Sequence, residues 1–337
     1  MLRGMTEGPR VGDLGEFELI DRLAARLESG PGVIVGIGDD TAILQPAPGM
    51  QLLATTDSQV EGSHFLREGT PADAVGHRLL ASNLSDVAAM GGRPRWALVA
   101  LTLPPDLPLA WVDGLYDGIG ALARRYGVAL VGGNVARSPA GTVVDLTLLG
   151  EIEPDRRLTR AGATPGDAVF VTGWPGDSAG GLELILRPAL RTGLSEPTVR
   201  ELLEAHWRPT PRVEAGRVLA SSGVATACID VSDGLAADLG HILAASGAGA
   251  TLDAAALPIS PALSASRLDV EQLVLHGGEA YELLFTARAA PPDLGIPYRR
   301  IGTIEAEPGL RLRRPDGRVE PLAATGHDHF RSQGTGA

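Results

Sequence analysis

The sequence contains no lysine; all 29 of its strongly basic residues are arginine. That absence excludes a phosphate-loop lysine, a protein-kinase strand lysine and a Schiff-base lysine. Any phosphate handled by this chain has to be met by arginine, backbone N–H groups or metal ions. Cysteine is almost absent as well. Cys228 stands alone, so no intrachain disulfide or thiolate zinc cluster can form, and it reads as a small buried hydrophobe beside a strand. Aromatic residues make up 4% of the chain, too few for the stacking platforms of a nucleic-acid surface. Positive charge is in deficit: 41 acids face 29 arginines, a formal charge of −12. This argues against nucleic acid or an anionic membrane as partner, and leaves room for an anionic substrate bridged by metal. No apolar run approaches membrane length, and the N-terminus lacks a basic-then-apolar signal pattern, so a cytoplasmic location is expected.

What is present is ordinary globular material, 44% hydrophobic and 21% charged over 337 residues. That length predicts two domains rather than one core. Residues 151–167, EIEPDRRLTRAGATPGD, are charged and rich in Pro and Gly, which places the boundary there: domain one 1–150, domain two 151–337. Residues 1–13 are expected to be loose, as is the tail after Phe330. Apolar periodicity predicts helices over 15–29, from Pro71 to about 90, over 111–126, 197–206 and 211–221, and after Gly234. Short apolar runs predict strands at 33–35, 52–54, 95–103, 128–131, 143–152, 168–172, 225–229 and 281–286. Adjacent strands mixed with helices predict an α+β class with mixed sheets.

The chain is organised around residues 36–64, GIGDDTAILQPAPGMQLLATTDSQVEGSH. Two apolar runs there read as buried strands that end in Asp39-Asp40 and in Thr55-Thr56-Asp57. The 71–90 helix places Asn83 and Asp86 three residues apart on one side. Asn134 follows Gly132-Gly133 at a strand end, and Asp230 and Asp233 follow another. Each acid taken singly is what an ordinary cap or turn contains. Taken together they would form a cluster that cannot stay ionised when shielded without counter-charge. Lysine is absent and arginine is not interleaved, so Mg²⁺ or a similar hard cation, which takes oxygen ligands, is the expected counter-ion. Phosphate-loop and dinucleotide glycine motifs are missing, as are zinc-type histidine spacing and a nucleophile-elbow serine.

In order along the chain stand GIGDDTAIL (36–44), TTDSQVEGSHF (55–65), NLSDVAAMGGRP (83–94), LTRAGATPGD (158–167), GDSAGGL (176–182), RPTPR (208–212), IDVSDGL (229–235) and GGEAYELLF (277–285). On these segments the chain resembles the thiamine-monophosphate kinase family, within the aminoimidazole-ribonucleotide-synthetase-like superfamily. The resemblance implies that superfamily's two-domain architecture. It also implies ATP-dependent phosphorylation of thiamine monophosphate to thiamine diphosphate with several Mg²⁺ ions, and a homodimer formed through the N-terminal domains. ATP and substrate would lie where the domains meet. By matching positions, Asp40, Thr55, Thr56, Asp57, Asp86, Asn134, Asp230 and Asp233 would hold metal, with Asp57, Asp86 and Asp230 the catalytic carboxylates. Tyr116, Gly133, Asn134, Arg160 and Ser232 would contact nucleotide; His64, Glu279 and His327 would contact thiamine monophosphate. Three positions depart from the family pattern: Asn134 replaces an aspartate, Ala280 another aspartate, and His327 an aromatic residue. The lost charge at Asn134 predicts weaker metal binding there. Another ATP-dependent member of the superfamily, or a homologue that binds ligand without turnover, remains an open alternative.

Overall fold

The computed structural model describes residues 8–288, 291 and 293–326. It divides into two compact units, Met1–Val87 with Arg93–Pro154, and Ala88–Gly92 with Asp155–Ala337.

Unit 1 opens with a 3-10 turn, Val11–Asp13, inside the stretch expected to be loose. Its order has a visible cause: the N–H groups of Val11 and Gly12 donate to the carbonyls of Leu107 and Pro105 at 2.9 and 2.7 Å. Helix α1 (Glu16–Ala24) stops short of the expected residue 29. Beyond it, Arg26 and Leu27 bond three residues back rather than four, so the chain tightens and leaves the helix before Gly30-Pro31. Strands β1 (Val33–Val35) and β2 (Ile43–Leu44) form a hairpin. Strand β3 (Gln51–Val60) is followed by α2 (Ala72–Ala89), β4 (Arg93–Leu103), α3 (Leu109–Tyr126), β5 (Ala129–Arg137) and β6 (Val143–Ile152). The sheet order is β3-β6-β4-β5, with β4 and β5 parallel across the α3 connection and the other pairs antiparallel. Two strands run further than the sequence predicted. Thr55-Thr56-Asp57 and Gly132-Gly133-Asn134 lie within β3 and β5, not past their ends, because each backbone goes on pairing with its neighbour.

Unit 2 contains β7 (Ala168–Val171), α4 (Asp177–Leu186), α5 (Glu196–Trp207), α6 (Val213–Ser222), β8 (Ala225–Asp230) and α7 (Leu235–Ser246). Then come β9 (Gly249–Asp253), α8 (Pro261–Ala265), α9 (Val270–His276), β10 (Leu283–Ala287), β11 (Arg299–Glu305), β12 (Gly309–Arg313) and β13 (Val319–Pro321). These strands make one seven-stranded sheet, β13-β12-β9-β11-β7-β10-β8, antiparallel except for β12 beside β9. Its core joins Val169 and Val171, Ile229, Leu284, Ile301 and Leu252 to Leu239, Ile242 and Leu263 of the helices. Cys228 is buried in β8 as a core hydrophobe, and burial raises its thiol well above the ordinary range. The expected tail after Phe330 lies outside the described residues.

Helices α2 and α3 of unit 1 cross at backbone contact, which only glycine permits. A Cβ on Gly76 would lie 2.0 Å from the Leu115 carbonyl oxygen, and one on Gly118 would lie 1.9 Å from that of Asp73. Gly118→Ala should therefore destabilise the protein by about 2–3 kcal/mol through overpacking. Gly120→Ala, on the same helix, meets only the flexible end of Arg124 and should be neutral or stabilising by up to about 1 kcal/mol. Urea unfolding of the two variants side by side checks both.

Candidate active site

In unit 1 the alternation of β3 decides which groups meet. Thr55 and Asp57 share one face of the strand; Thr56 and Ser58 share the other. Thr55 Oγ1 donates a short hydrogen bond to Asp86 of α2. Asp57 lies close enough to Asp86 for the two charges to oppose each other. Burial, then that repulsion, pushes its carboxyl up to about 6, against a lowering hydrogen bond from Ser82. Thr55, Asp57 and Asp86 are thus an oxygen-only donor group whose ionised form is disfavoured as it stands. That is the donor chemistry a hard divalent cation takes, and the two carboxylates fit Mg²⁺.

Other predicted ligands are not part of this group. Thr56 points to the opposite face, where its hydroxyl donates to the Leu146 carbonyl at 3.1 Å and accepts from Thr147 at 3.2 Å. Asn134 pairs in register with Ala100, which pairs with Asp145, which pairs with Ser58. Its side chain is therefore on the Thr56 face of the sheet. Asp39 and Asp40 sit exposed in the bend between β1 and β2, where Asp39 Oδ1 accepts the Asp40 N–H at 2.9 Å. Gly133 is pressed against β4: a Cβ there would lie 1.8 Å from the Val99 carbonyl oxygen. Tyr116 is buried in α3 at 8% exposure, and burial raises its phenol above the ordinary range. It presents little surface to a nucleotide within unit 1. His64 is fixed through both its backbone and its ring. Its Nδ1 accepts the Val60 N–H at 3.1 Å, which leaves the ring proton on Nε2, and its carbonyl accepts from the fully buried Arg78 at 3.2 Å.

In unit 2, Asp230 ends β8, paired with Leu283 of β10 and 4% exposed. Ser232, Asp233 and Gly234 then turn into α7. Asp238, one turn inside that helix, accepts all three of their N–H groups at 3.0–3.1 Å. Burial, then the Asp233 charge, pushes the Asp238 carboxyl up to about 7 despite those bonds. Ligand atoms of Asp233, Asp238 and His241 lie within 4.8 Å of one another. Asp238 and His241 were not anticipated from the sequence. Their Asp-x-x-His spacing at the start of a helix after Ser-Asp-Gly was the signal available.

Facing this turn is the segment 277–282. The N–H groups of Glu279 and Tyr281 donate to the carbonyls of Ser232 and Val231, and the Val231 N–H returns to the Glu282 carbonyl, at 2.7–2.9 Å. Glu279 and Tyr281 have φ of 59° and 53°, left-handed conformations that cost roughly 1 kcal/mol or more each outside glycine. The Glu282 carboxylate, 5% exposed, accepts two bonds from Arg212 and one from Thr172, all at 2.6 Å. Arg160 is exposed, and its carbonyl accepts from Ser246 at 3.5 Å. His327 lies outside the described residues.

An acidic group between a strand and a helix in each of two α+β units defines a class, and family comparison agrees. Residues 38–152 match the N-terminal domain model of AIR synthase related proteins, and residues 164–314 match the C-terminal one. Within that class the chain belongs to the thiamine-monophosphate kinase family. The thiamine-monophosphate kinase of Salmonella typhimurium is 42% identical over 94% of this chain and 98% of its own. The crystal structure of thiamine-monophosphate kinase from Stenotrophomonas maltophilia is 41% identical, with a TM-score of 0.79 over 90% of this chain and 98% of that one. AaThiL complexed with AMPPCP and TMP is 37% identical, with a TM-score of 0.75 over 96% and 100%. Among the described residues no helix is long and apolar enough to cross a membrane.

The polar cluster of unit 2 carries a pH signature away from the metal candidates. Burial raises Asp177, at the start of α4, to about 6; a hydrogen bond from Ser260 opposes, and Glu282 and Glu201 add to the rise. A carboxyl raised on folding favours the folded state while protonated, and that contribution is lost as pH rises from about 4 through about 6. Asp177→Asn keeps the Ser260 bond without the charge. It should gain about 1–2 kcal/mol over the parent at pH 7 and little at pH 4. Thermal melts across that range check this.

Proposed function

We propose that this chain transfers the γ-phosphoryl group of ATP to the phosphate of thiamine monophosphate, giving thiamine diphosphate and ADP. The observation that carries the reading is near-full-length kinship with thiamine-monophosphate kinases at 42% identity, together with an acidic group in each unit. AaThiL, complexed with AMPPCP and TMP, supports both substrates.

The chemistry asks little of the protein covalently. The acceptor is a phosphate monoester whose second pKa is about 6, so its oxygen is already ionised and needs no strong base. It attacks the γ-phosphorus in line, and the bond to the bridging oxygen breaks as ADP leaves. The difficulty is holding two polyanions together. Mg²⁺, when bound, supplies neutralisation of phosphate charge. Asp57 and Asp86 would hold it in unit 1, with Thr55 orienting Asp86. Asp230 and Asp233 would do so in unit 2, where Asp238 fixes the turn that carries Asp233. Asp40, exposed beside β2, and the backbone near Thr56 are further candidates. Arg160, Ser232 and Gly133 would meet the nucleotide, and His64 and Glu279 the thiamine phosphate. Asn134 lies on the far face of the sheet from Asp57, so its missing charge does not deplete the Asp57/Asp86 group. A homodimer through unit 1 fits the half-exposed outer face of its sheet, where Ala54, Thr56 and Ser58 of β3 are exposed.

Purified protein with ATP, Mg²⁺ and thiamine monophosphate should form thiamine diphosphate, read by chromatography. No product at millimolar substrate and Mg²⁺ sinks the proposal. Asp57→Asn should lower kcat/KM at least about a hundredfold, equivalent to about 2.7 kcal/mol of transition-state stabilisation. Asn134→Asp should shift the Mg²⁺ dependence less than about threefold, since it does not touch that group.

A further inference from the structure

We infer that His206, a residue of α5 in none of the ligand sets above, positions Glu279 against thiamine monophosphate; this rests on the reading that Glu279 contacts that substrate. His206 is 2% exposed, deep between α4 and the 277–282 segment. One nitrogen of its ring, Nδ1, lies 3.2 Å from Ser178 Oγ and 3.8 Å from Glu279 Oε2. Ser178, in the first turn of α4, is itself 3% exposed. The ring is therefore held by a buried hydroxyl while the same nitrogen faces a carboxylate that is 27% exposed.

The rest of Glu279 is already constrained. Its φ of 59° is left-handed, and its N–H is bonded to Ser232. A Cβ on the preceding Gly278 would lie 2.6 Å from the Ser232 carbonyl oxygen, so the backbone is pressed onto the Ser-Asp-Gly turn. What the backbone does not fix is the side chain, with its three rotatable bonds. A partly exposed glutamate loses rotamer freedom when it binds a ligand, and a partner that fixes it beforehand removes that cost from binding. His206 is placed to be such a partner, through its N–H dipole across 3.8 Å in the neutral form or charge in the protonated form. Thiamine monophosphate offers a carboxylate two matching groups, the cationic thiazolium ring and the exocyclic amine of the pyrimidine. ATP shares an exocyclic amine but has no fixed cation, and its polyphosphate is repelled by a carboxylate. His206 should therefore govern affinity for thiamine monophosphate and leave ATP alone.

The test is the dissociation constant of thiamine monophosphate by calorimetry, with KM for both substrates, in the parent and five variants. His206→Ala should weaken thiamine monophosphate about tenfold in Kd and KM, with the ATP KM within twofold of the parent. His206→Asn, whose amide nitrogen falls where Nδ1 sits, should recover to within about threefold. His206→Gln, whose amide reaches toward the Nε2 position, should not. Glu279→Gln combined with His206→Ala should be no worse than Glu279→Gln alone within twofold, because the two act through one contact. An indifferent His206→Ala, equal weakening of both substrates, or equal recovery by Asn and Gln overturns the inference, the last because a merely space-filling role would not separate them. If His206→Ala does not fold, Ser178→Ala replaces it. That variant should weaken thiamine monophosphate threefold or more, and no change overturns the inference. Turnover in the parent with an indifferent His206 variant removes only the positioning role. A parent that neither binds nor phosphorylates thiamine monophosphate removes the proposed function as well.

Discussion

The Glu282–Arg212 ion pair is the constraint on which the candidate site of unit 2 depends. Glu282 is buried, and a buried carboxylate is tolerated only when its lone pairs are met. Arg212 meets two of them at 2.6 Å and Thr172 a third at 2.6 Å. Those partners come from the start of α6 and the end of β7. One carboxylate therefore ties together a helix start and the ends of β7 and β10. Removing one partner of such a pair costs about 3–5 kcal/mol, because the other is left buried and uncompensated. The consequence reaches the site through the backbone. The Glu282 carbonyl receives the Val231 N–H, and the next two bonds fix Tyr281 and Glu279 onto the Asp230–Ser232 strand end. Left-handed φ at Glu279 and Tyr281 persists because this lattice over-determines it. Glu282 thus sets where the backbone of Glu279, the residue proposed to face thiamine monophosphate, stands.

The same economy of charge runs through both units. Each sets an acid on or just after a strand beside an acid on a helix, in a chain that has no lysine to neutralise them. Unit 1 places Asp57 beside Asp86 and raises the first to about 6. Unit 2 places Asp233 beside Asp238 and raises the second to about 7. In both, burial is the larger cause and a neighbouring carboxylate the next. The arginines are spent elsewhere, on Asp113, Glu282, Glu271 and Glu320. Acids left in this condition are a standing demand for cations, and a triphosphate donor brought up to a phosphate-monoester acceptor brings the matching need.

Much of this was legible in the residues, because long periodic segments and acids beside apolar runs leave a direct mark. The helices beginning near Pro71 and after Gly234, and the strands that became β4, β6 and β8, fall where periodicity put them. The misses have specific physical causes. Strand β9 is Gly249-Ala250-Thr251-Leu252-Asp253, too short and small in side chain to announce a strand, yet it lies inside the sheet with every residue but the last buried. Strands β11 and β12 are arginine-rich, and their place is settled by pairing with β7 and β9 far away in the chain, while β13 follows as a hairpin on β12. Asp238 looked like one more helix acid; only the fold shows it gathering three N–H groups from the turn before it. His206 carried no motif at all, since its neighbours Ser178 and Glu279 are 28 and 73 positions away in sequence.

The most consequential correction concerns the stretch 55–57. A strand that ended before Thr55 would have let three consecutive oxygen-bearing side chains converge. Because β3 continues to Val60, strict alternation separates them. Thr55 and Asp57 turn toward Asp86 on α2, while Thr56 turns toward Thr147 with its hydroxyl already engaged. The same rule, applied across the register from Ser58 through Asp145 and Ala100, carries Asn134 to the Thr56 side. A residue on the far side of a sheet can serve this group only through its backbone, and a charge lost there is felt weakly. The substitution that looked most damaging in the sequence is thereby moved away from the carboxylate pair that most needs a cation.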